Sequence, residues 1–422
     1  MPITKKRLEP SAGLGINTVV DKKFKTNMIN IRLLTEYDIN KAAAYAIIPK
    51  LLISTNEEYP DRAMLIRRFN ALYGTTVVST SRRLGGIYEL SVDMSFLCDR
   101  YALDGECISD EAAKLLLDCV LRPALEGGGF LKSEFNTQKI NLLNQIDSEI
   151  NDKLDYAMHE AFGIAYRGES SADRYFGTRE RVEALSAEQA YSIYQDLLKT
   201  ARIEISFCGA GPFDSLESLF TEAFKREGTA FDSPKYYAPS PCKATPEYGE
   251  TALDVQQANL ILIFKTNGAD HCAMTVLSSL YGETPQSKLF KNVREKLSLC
   301  YFCSSAYIEP NGVLYVVSGV APENIEPAKN EIISQLNAIK AGDFTDEDIA
   351  DTKRSLATAY RFVGDSLRGL DNWYFNQTVK QSTDEPEDKL EKLNAVTRGE
   401  LIAAAEKIQL DTVFVLKPKE TE

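Results

Sequence analysis

Histidine sets the first bound on what this sequence can do. The chain has 2 of them, His159 and His271, far apart. A three-histidine zinc site is excluded, and neither H-E-x-x-H nor H-x-x-E-H occurs in any register. His159-Glu160 sits in a long helical pattern and reads as a packed or solvated pair. A hydrolase built on His159 or His271 would need a nucleophile and an acid partner that the sequence does not display, and no G-x-S-x-G elbow is present. Ser240-Pro241-Cys242-Lys243 fits S-x-x-K only inside a proline-rich stretch, and Gly13-x-Gly15 and Gly209-x-Gly211 lack the rest of a nucleotide fingerprint. Cys300-Tyr301-Phe302-Cys303 has C-x-x-C spacing, but its surroundings alternate as a strand does. A thioredoxin-type pair opens a helix, and structural zinc needs a second pair. Cys98, Cys107, Cys119, Cys208, Cys242 and Cys272 are scattered, mostly in apolar stretches, as buried thiols in a reducing compartment would be.

The elements that must position any site follow from composition and periodicity. At 422 residues, 44% apolar and 26% charged, the chain is globular in composition and too long for one ordinary domain. A net charge of −13 argues against nucleic acid as a general partner. No apolar run approaches the roughly 18 residues that would span a bilayer, and no apolar stretch follows Lys5-Lys6, so a soluble, cytoplasmic protein is expected. The first half reads as a strand at 27–37, helices at 40–53 and 61–72, and strands at 75–80 and 86–94 either side of Arg82-Arg83. Helices at 110–121, 131–163 and 186–199 follow, and a strand at 203–208 closes the set. The segment 228–250 carries Pro234, Pro239, Pro241 and Pro246 and reads as a linker. The second half repeats the order: a strand at 253–265, helices at 270–280 and 286–297, strands at 299–308 and 313–320, helices at 323–340, 345–379 and 397–407, and a strand at 412–416. Carboxylates at Asp346-Glu347-Asp348 after Thr345 read as a helix start. The expectation is an α+β chain of two homologous modules, 1–227 and 251–422, each an antiparallel-rich sheet covered by helices on one face.

Particular side chains add to this pattern. Leu51-Leu52-Ile53-Ser54-Thr55-Asn56, Phe69-Asn70-Ala71-Leu72-Tyr73-Gly74, Phe162-Gly163-Ile164-Ala165-Tyr166 and Tyr175-Phe176-Gly177-Thr178 fall in the first half. Ser287-Lys288-Leu289-Phe290-Lys291-Asn292-Val293-Arg294-Glu295-Lys296, ending at Tyr301, falls in the second. In this order they resemble landmarks of the pitrilysin/insulinase family of inverzincin metallopeptidases, over most of the chain. The resemblance implies half of a clamshell. It also places Ala46, Pro49 and Lys50 where active members carry the His, Glu and His of H-x-x-E-H, and Gln145 where they carry the downstream Glu ligand.

Each replacement opposes the chemistry. Ala46 has no lone pair, Gln145 is a neutral donor at best, and Lys50 puts an ammonium one turn from Ala46 where a cation should sit. Pro49 supplies no general base and is expected to kink or break its helix. Arg294 and Tyr301 remain. The resemblance implies that they bind a substrate carbonyl and stabilise an oxyanion, whereas on spacing alone they are a surface cation and a strand aromatic. The loop Leu280–Pro285 has one glycine, unlike the glycine-rich loop of non-catalytic processing-peptidase subunits. The implied role is a non-catalytic subunit with no metal of its own, and with zinc on a homologous H-x-x-E-H partner that shares a peptide substrate. The rival reading is a stand-alone peptide-binding or scaffold protein, possibly a homodimer.

Overall fold

A computed structural model describes residues 3–226, 231 and 234–419. The first module contains β1 (Thr4–Ser11), β2 (Leu14–Val20), β3 (Thr26–Glu36), α1 (Ala42–Leu52), α2 (Arg62–Ala71), β4 (Thr76–Leu84), β5 (Ile87–Leu97) and α3 (Ile108–Leu121). It continues with the short pair β6 (Leu125–Glu126) and β7 (Gly129–Phe130), then α4 (Lys132–Ser148), α5 (Lys153–Ala165), α6 (Arg179–Ala184), α7 (Ala187–Thr200), β8 (Arg202–Gly209) and α8 (Asp214–Phe224). The second contains β9 (Glu247–Leu253), β10 (Ala258–Lys265), α9 (His271–Ser278), β11 (Cys300–Ile308), β12 (Val313–Val320), α10 (Ile325–Lys340), α11 (Asp346–Arg361), α12 (Leu367–Lys380), α13 (Pro386–Ala395), α14 (Arg398–Lys407) and β13 (Gln409–Pro418). Wider π-helical turns at Ser279–Glu283 and Leu289–Lys296 stand where ordinary helix is expected.

The α+β duplication is visible in the sheets. The first has the order β1-β2-β8-β3-β5-β4, and the second, read from its other edge, β9-β13-β10-β12-β11. In both, one parallel pair (β2 with β8, β9 with β13) flanks antiparallel neighbours. The same cap recurs too: Ser186 with Gln189 starts α7, and Thr397 with Glu400 starts α14, each a reciprocal capping box. Thr345 and Asp348 start α11 in the same way.

Two differences from the sequence expectation matter. The helices read as 131–163 and 345–379 each break, at residues 149–151 and 362–365. New helices then begin on the N-caps Asp152 and Ser366, whose side chains accept from the backbone N–H of Asp155 and Gly369. The chain forms two compact units, Met1–Asp147 with Arg174–Tyr236 and Gly364–Thr383, and Ser148–Asp173 with Tyr237–Val363 and Asp384–Glu422. Each break therefore passes its second helix to the other module's sheet. In the second unit, α5 lays Ala157, Ala161 and Ala165, one turn apart, against Ile261, Ile263 and Phe414. Small side chains let that helix approach the strands closely.

In the first unit, α12 lays Leu367 and Leu370 on Val19, Met28 and Cys208. A buried ion cluster adds specificity there: Arg32 on β3 holds Asp371 of α12, and bonds Glu89 on β5 at 3.0 Å. Each sheet is thus covered on both faces, not one, and β3 and β10 read as continuous buried runs.

Smaller corrections concern turns and edges. Arg82 and Arg83 lie inside β4, and the turn is Gly85-Gly86, with Gly85 at φ 61°. The linker ends in strand, since β9 starts at Glu247, while residues 228–230 and 232–233 of it lie outside the described residues. No helix among the described residues is long and apolar enough to cross a membrane.

Candidate functional site

The Ala-rich start of α1 favours helix and lets it pack closely. Ala42 through Pro49 are buried, and Ala46 is 0% exposed within the main core cluster. Pro49 does not break the helix, which continues to Leu52. Proline removes the N–H that would bond the carbonyl of Tyr45 four residues back. Ser81 Oγ on β4 donates to that carbonyl instead, at 2.8 Å. The gap beside Pro49, lined by Ile31, Leu33 and Val92 among others, is about 10 Å³, no more than one water would fill.

Lys50, the next residue, is half-buried, and no hydrogen bond or ion pair reaches its ammonium among the described residues. Burial alone lowers its pKa. Gln145 is an exposed residue of α4 whose amide donates to the Tyr175 hydroxyl at 3.0 Å. Among the described residues no three His, Cys, Asp or Glu side chains converge to hold a metal. A buried methyl, a proline and an unpaired ammonium do not fit zinc.

Arg294 and Tyr301 lie in the second unit, on the π-helical turns Leu289–Lys296 and at the start of β11. The Arg294 side chain is 42% exposed; its guanidinium lies over the Phe290 ring at 4.8 Å and 3.7 Å from Glu295. Tyr301 is 63% exposed and makes no hydrogen bond among the described residues. The pairing of β11 with β12 explains its exposure. Cys300 pairs with Val320 and Phe302 with Gly319, so Tyr301 is the extra residue of a β-bulge.

The other candidates resolve into local partnerships. His159 Nε2 lies 3.4 Å from Asp155 on an exposed helix face. His271 Nδ1 meets the Tyr307 hydroxyl at 2.6 Å, with its ring stacked on Tyr237. No serine or cysteine pairs with either imidazole among the described residues. Lys243 of the S-x-x-K string ties to Glu247 and to buried Asp411. Ser240 instead accepts from Lys265, a buried lysine over the Tyr166 ring that sequence reading did not single out. Gly209 allows the chain to pass Asn27, where a Cβ would meet its Oδ1 at 2.3 Å.

The duplicated α+β module, two sheets of one strand order each covered by helices, is the architecture against which known proteins compare. Residues 184–356 match the family model described as "Peptidase M16 inactive domain". Over 412 residues the chain is 29% identical to "Probable inactive metalloprotease YmfF" of Bacillus subtilis (strain 168), covering 97% of this chain and 96% of that one. It is 23% identical over 284 residues to "Uncharacterized zinc protease YmxG" of the same strain, covering 65% of this chain and 66% of that one. A conserved protein from Enterococcus faecalis V583 has the same fold, with a TM-score of 0.91 at 24% identity over 99% of this chain and 100% of that one. A peptidase M16 inactive domain from Pseudomonas fluorescens gives 0.79 at 15% identity over 100% of both chains. The chain is similar to inactive members of the pitrilysin-type, or M16, peptidase family and shares their fold.

Proposed function

We propose that this chain is the non-catalytic subunit of a two-protein zinc metalloendopeptidase. A homologous partner with intact H-x-x-E-H would carry the zinc, which supplies Lewis acidity and an activated water when bound there. This chain's part is electrostatic. The Arg294 guanidinium would donate to a carbonyl of the bound peptide, and the Tyr301 hydroxyl to the oxyanion that develops at the scissile carbon. The observation that supports this reading is Tyr301, a large aromatic set outward by a bulge, whose hydroxyl has no hydrogen bond among the described residues. A cytoplasmic heterodimer acting on peptides is the assembly this reading implies.

The test is co-purification from native extract, with metal analysis and a peptide-cleavage assay with and without the co-purifying chain. A similar-sized H-x-x-E-H protein that holds the zinc, and a mixture that alone cleaves, is the expected result. Arg294→Ala should then slow the mixture without changing its zinc content; an unchanged rate would remove the role assigned to that residue. A chain recovered alone or as a homodimer, metal-free and inert, would instead make it a peptide-binding or scaffold protein.

A further inference from the structure

The bulge that exposes Tyr301 also acts on its neighbours. In a regular strand, residues three apart point to opposite faces. Here Cys300 pairs with Val320 and Cys303 with Ser318, and those partners, two apart on β12, share a face. Packing agrees: Cys300 and Cys303 both belong to the core beneath α9 and α10, whereas Phe302 between them packs with the cluster under α5. Gly319 opposite Phe302 makes room for this, since a Cβ there would meet the ring at 2.4 Å. The two thiols are near enough that each shifts the other's pKa. Cys300 is half-buried and open to solvent on one side, and Cys303 is buried.

We propose that Cys300 and Cys303 are a redox-active dithiol that closes to a disulfide across the backbone of Tyr301 and Phe302. The reaction needs a two-electron oxidant, here a low-molecular-weight disulfide. The Cys300 thiolate attacks one of its sulfurs, the S–S bond of the oxidant breaks, and one thiolate leaves. Cys303 then loses its proton to solvent and attacks Cys300 Sγ, releasing the second thiolate and forming the protein disulfide. One external disulfide is reduced to two thiols and two protein thiols are oxidised.

The surroundings suit Cys300 to the first step. The neighbouring Cys303 thiol foremost, then the Ser318 hydroxyl and the charge of Arg294, lower its pKa to about 7 against burial. Cys303, beside Cys300 and buried, is pushed well up and suits the resolving role.

The experiment uses the full chain alone, so its outcome does not depend on any partner subunit. After treatment with oxidised glutathione, a digest should yield the 300–303 peptide with an internal disulfide. Cys303→Ser should trap glutathione on Cys300, and Cys300→Ser should leave Cys303 unmodified. Without mutation, Cys300 should be alkylated by iodoacetamide at pH 7 about tenfold faster than exposed Cys107, with a midpoint near 7. Recovery of the peptide with both thiols free while Cys107 carries glutathione would overturn the proposal. So would alkylation of Cys300 no faster than that of Cys107.

Discussion

The two modules repeat one topology, and the helical segments between the opening strand and the hairpin differ between them. In the first, the helix after the opening strand is sealed: Ala46 is in the core, Pro49 faces apolar strands across a sliver of space, and Ser81 completes the hydrogen bonding that proline removed. In the second, the helical turns before the hairpin end in an exposed guanidinium and a phenol set outward by a bulge. The closed region holds its helix by packing, whereas the open one leaves two strong donors in solvent, where they add little stability.

The largest expected effect attacks the closed side. Ala46→His should cost about 3 kcal/mol, because a polar ring must enter a filled core. Urea unfolding would measure the loss, and metal analysis of the Ala46→His/Lys50→His chain should find no zinc. A stable variant that takes up zinc would break the contrast. On the open side, Tyr301→Phe should lower the rate of the two-chain complex by about 100-fold. Its unfolding free energy should stay within about 0.5 kcal/mol of the parent, which separates chemistry from folding.

Two smaller effects sharpen the account of α1. Ser81→Ala leaves the Tyr45 carbonyl unpaired and should cost about 1 kcal/mol in chemical denaturation. Adding Pro49→Ala should recover most of that, since the restored N–H bonds the same carbonyl. Last, Lys50→Met should stabilise by about 0.7 kcal/mol at pH 7 by removing an unpaired, half-buried charge. The sign with pH follows from the lowered pKa. Between that value and the ordinary 10.5 the unfolded chain binds more protons, so the parent gains stability as pH rises. The advantage of Lys50→Met should therefore shrink through that window, and thermal melts from pH 7 to 11 would show it. An advantage that grew with pH would mean the ammonium is not desolvated.

Much of the fold was legible because its signals are local. The buried run Ala258–Lys265 reads as a central strand, and Ser186-x-x-Gln189 marks the start of α7, without reference to anything distant. The breaks before Asp152 and Ser366 were missed because apolar periodicity runs on across them, and each cap is only one polar residue inside a helical pattern. The charged β1, exposed along most of its length at a sheet edge, gave too little apolar signal to register as a strand. At the site, Ala46, Pro49 and Lys50 could be judged from side-chain chemistry alone. That Pro49 is accommodated could not, because the compensating hydroxyl comes from Ser81 on another element.

By itself the sequence determined what this protein lacks and what it repeats: two histidines cannot make the zinc motif, and one order of strands and helices occurs twice. Composition and order are properties of the chain, so no folding is needed to read them. Only the tertiary structure decided which sheet each helix covers, since α5 and α12 leave their own modules. It alone also decided which side chains of Cys300–Cys303 share a face. A bulge is defined by pairing with β12, and the strand's own sequence, alternating with period two, predicts the opposite arrangement.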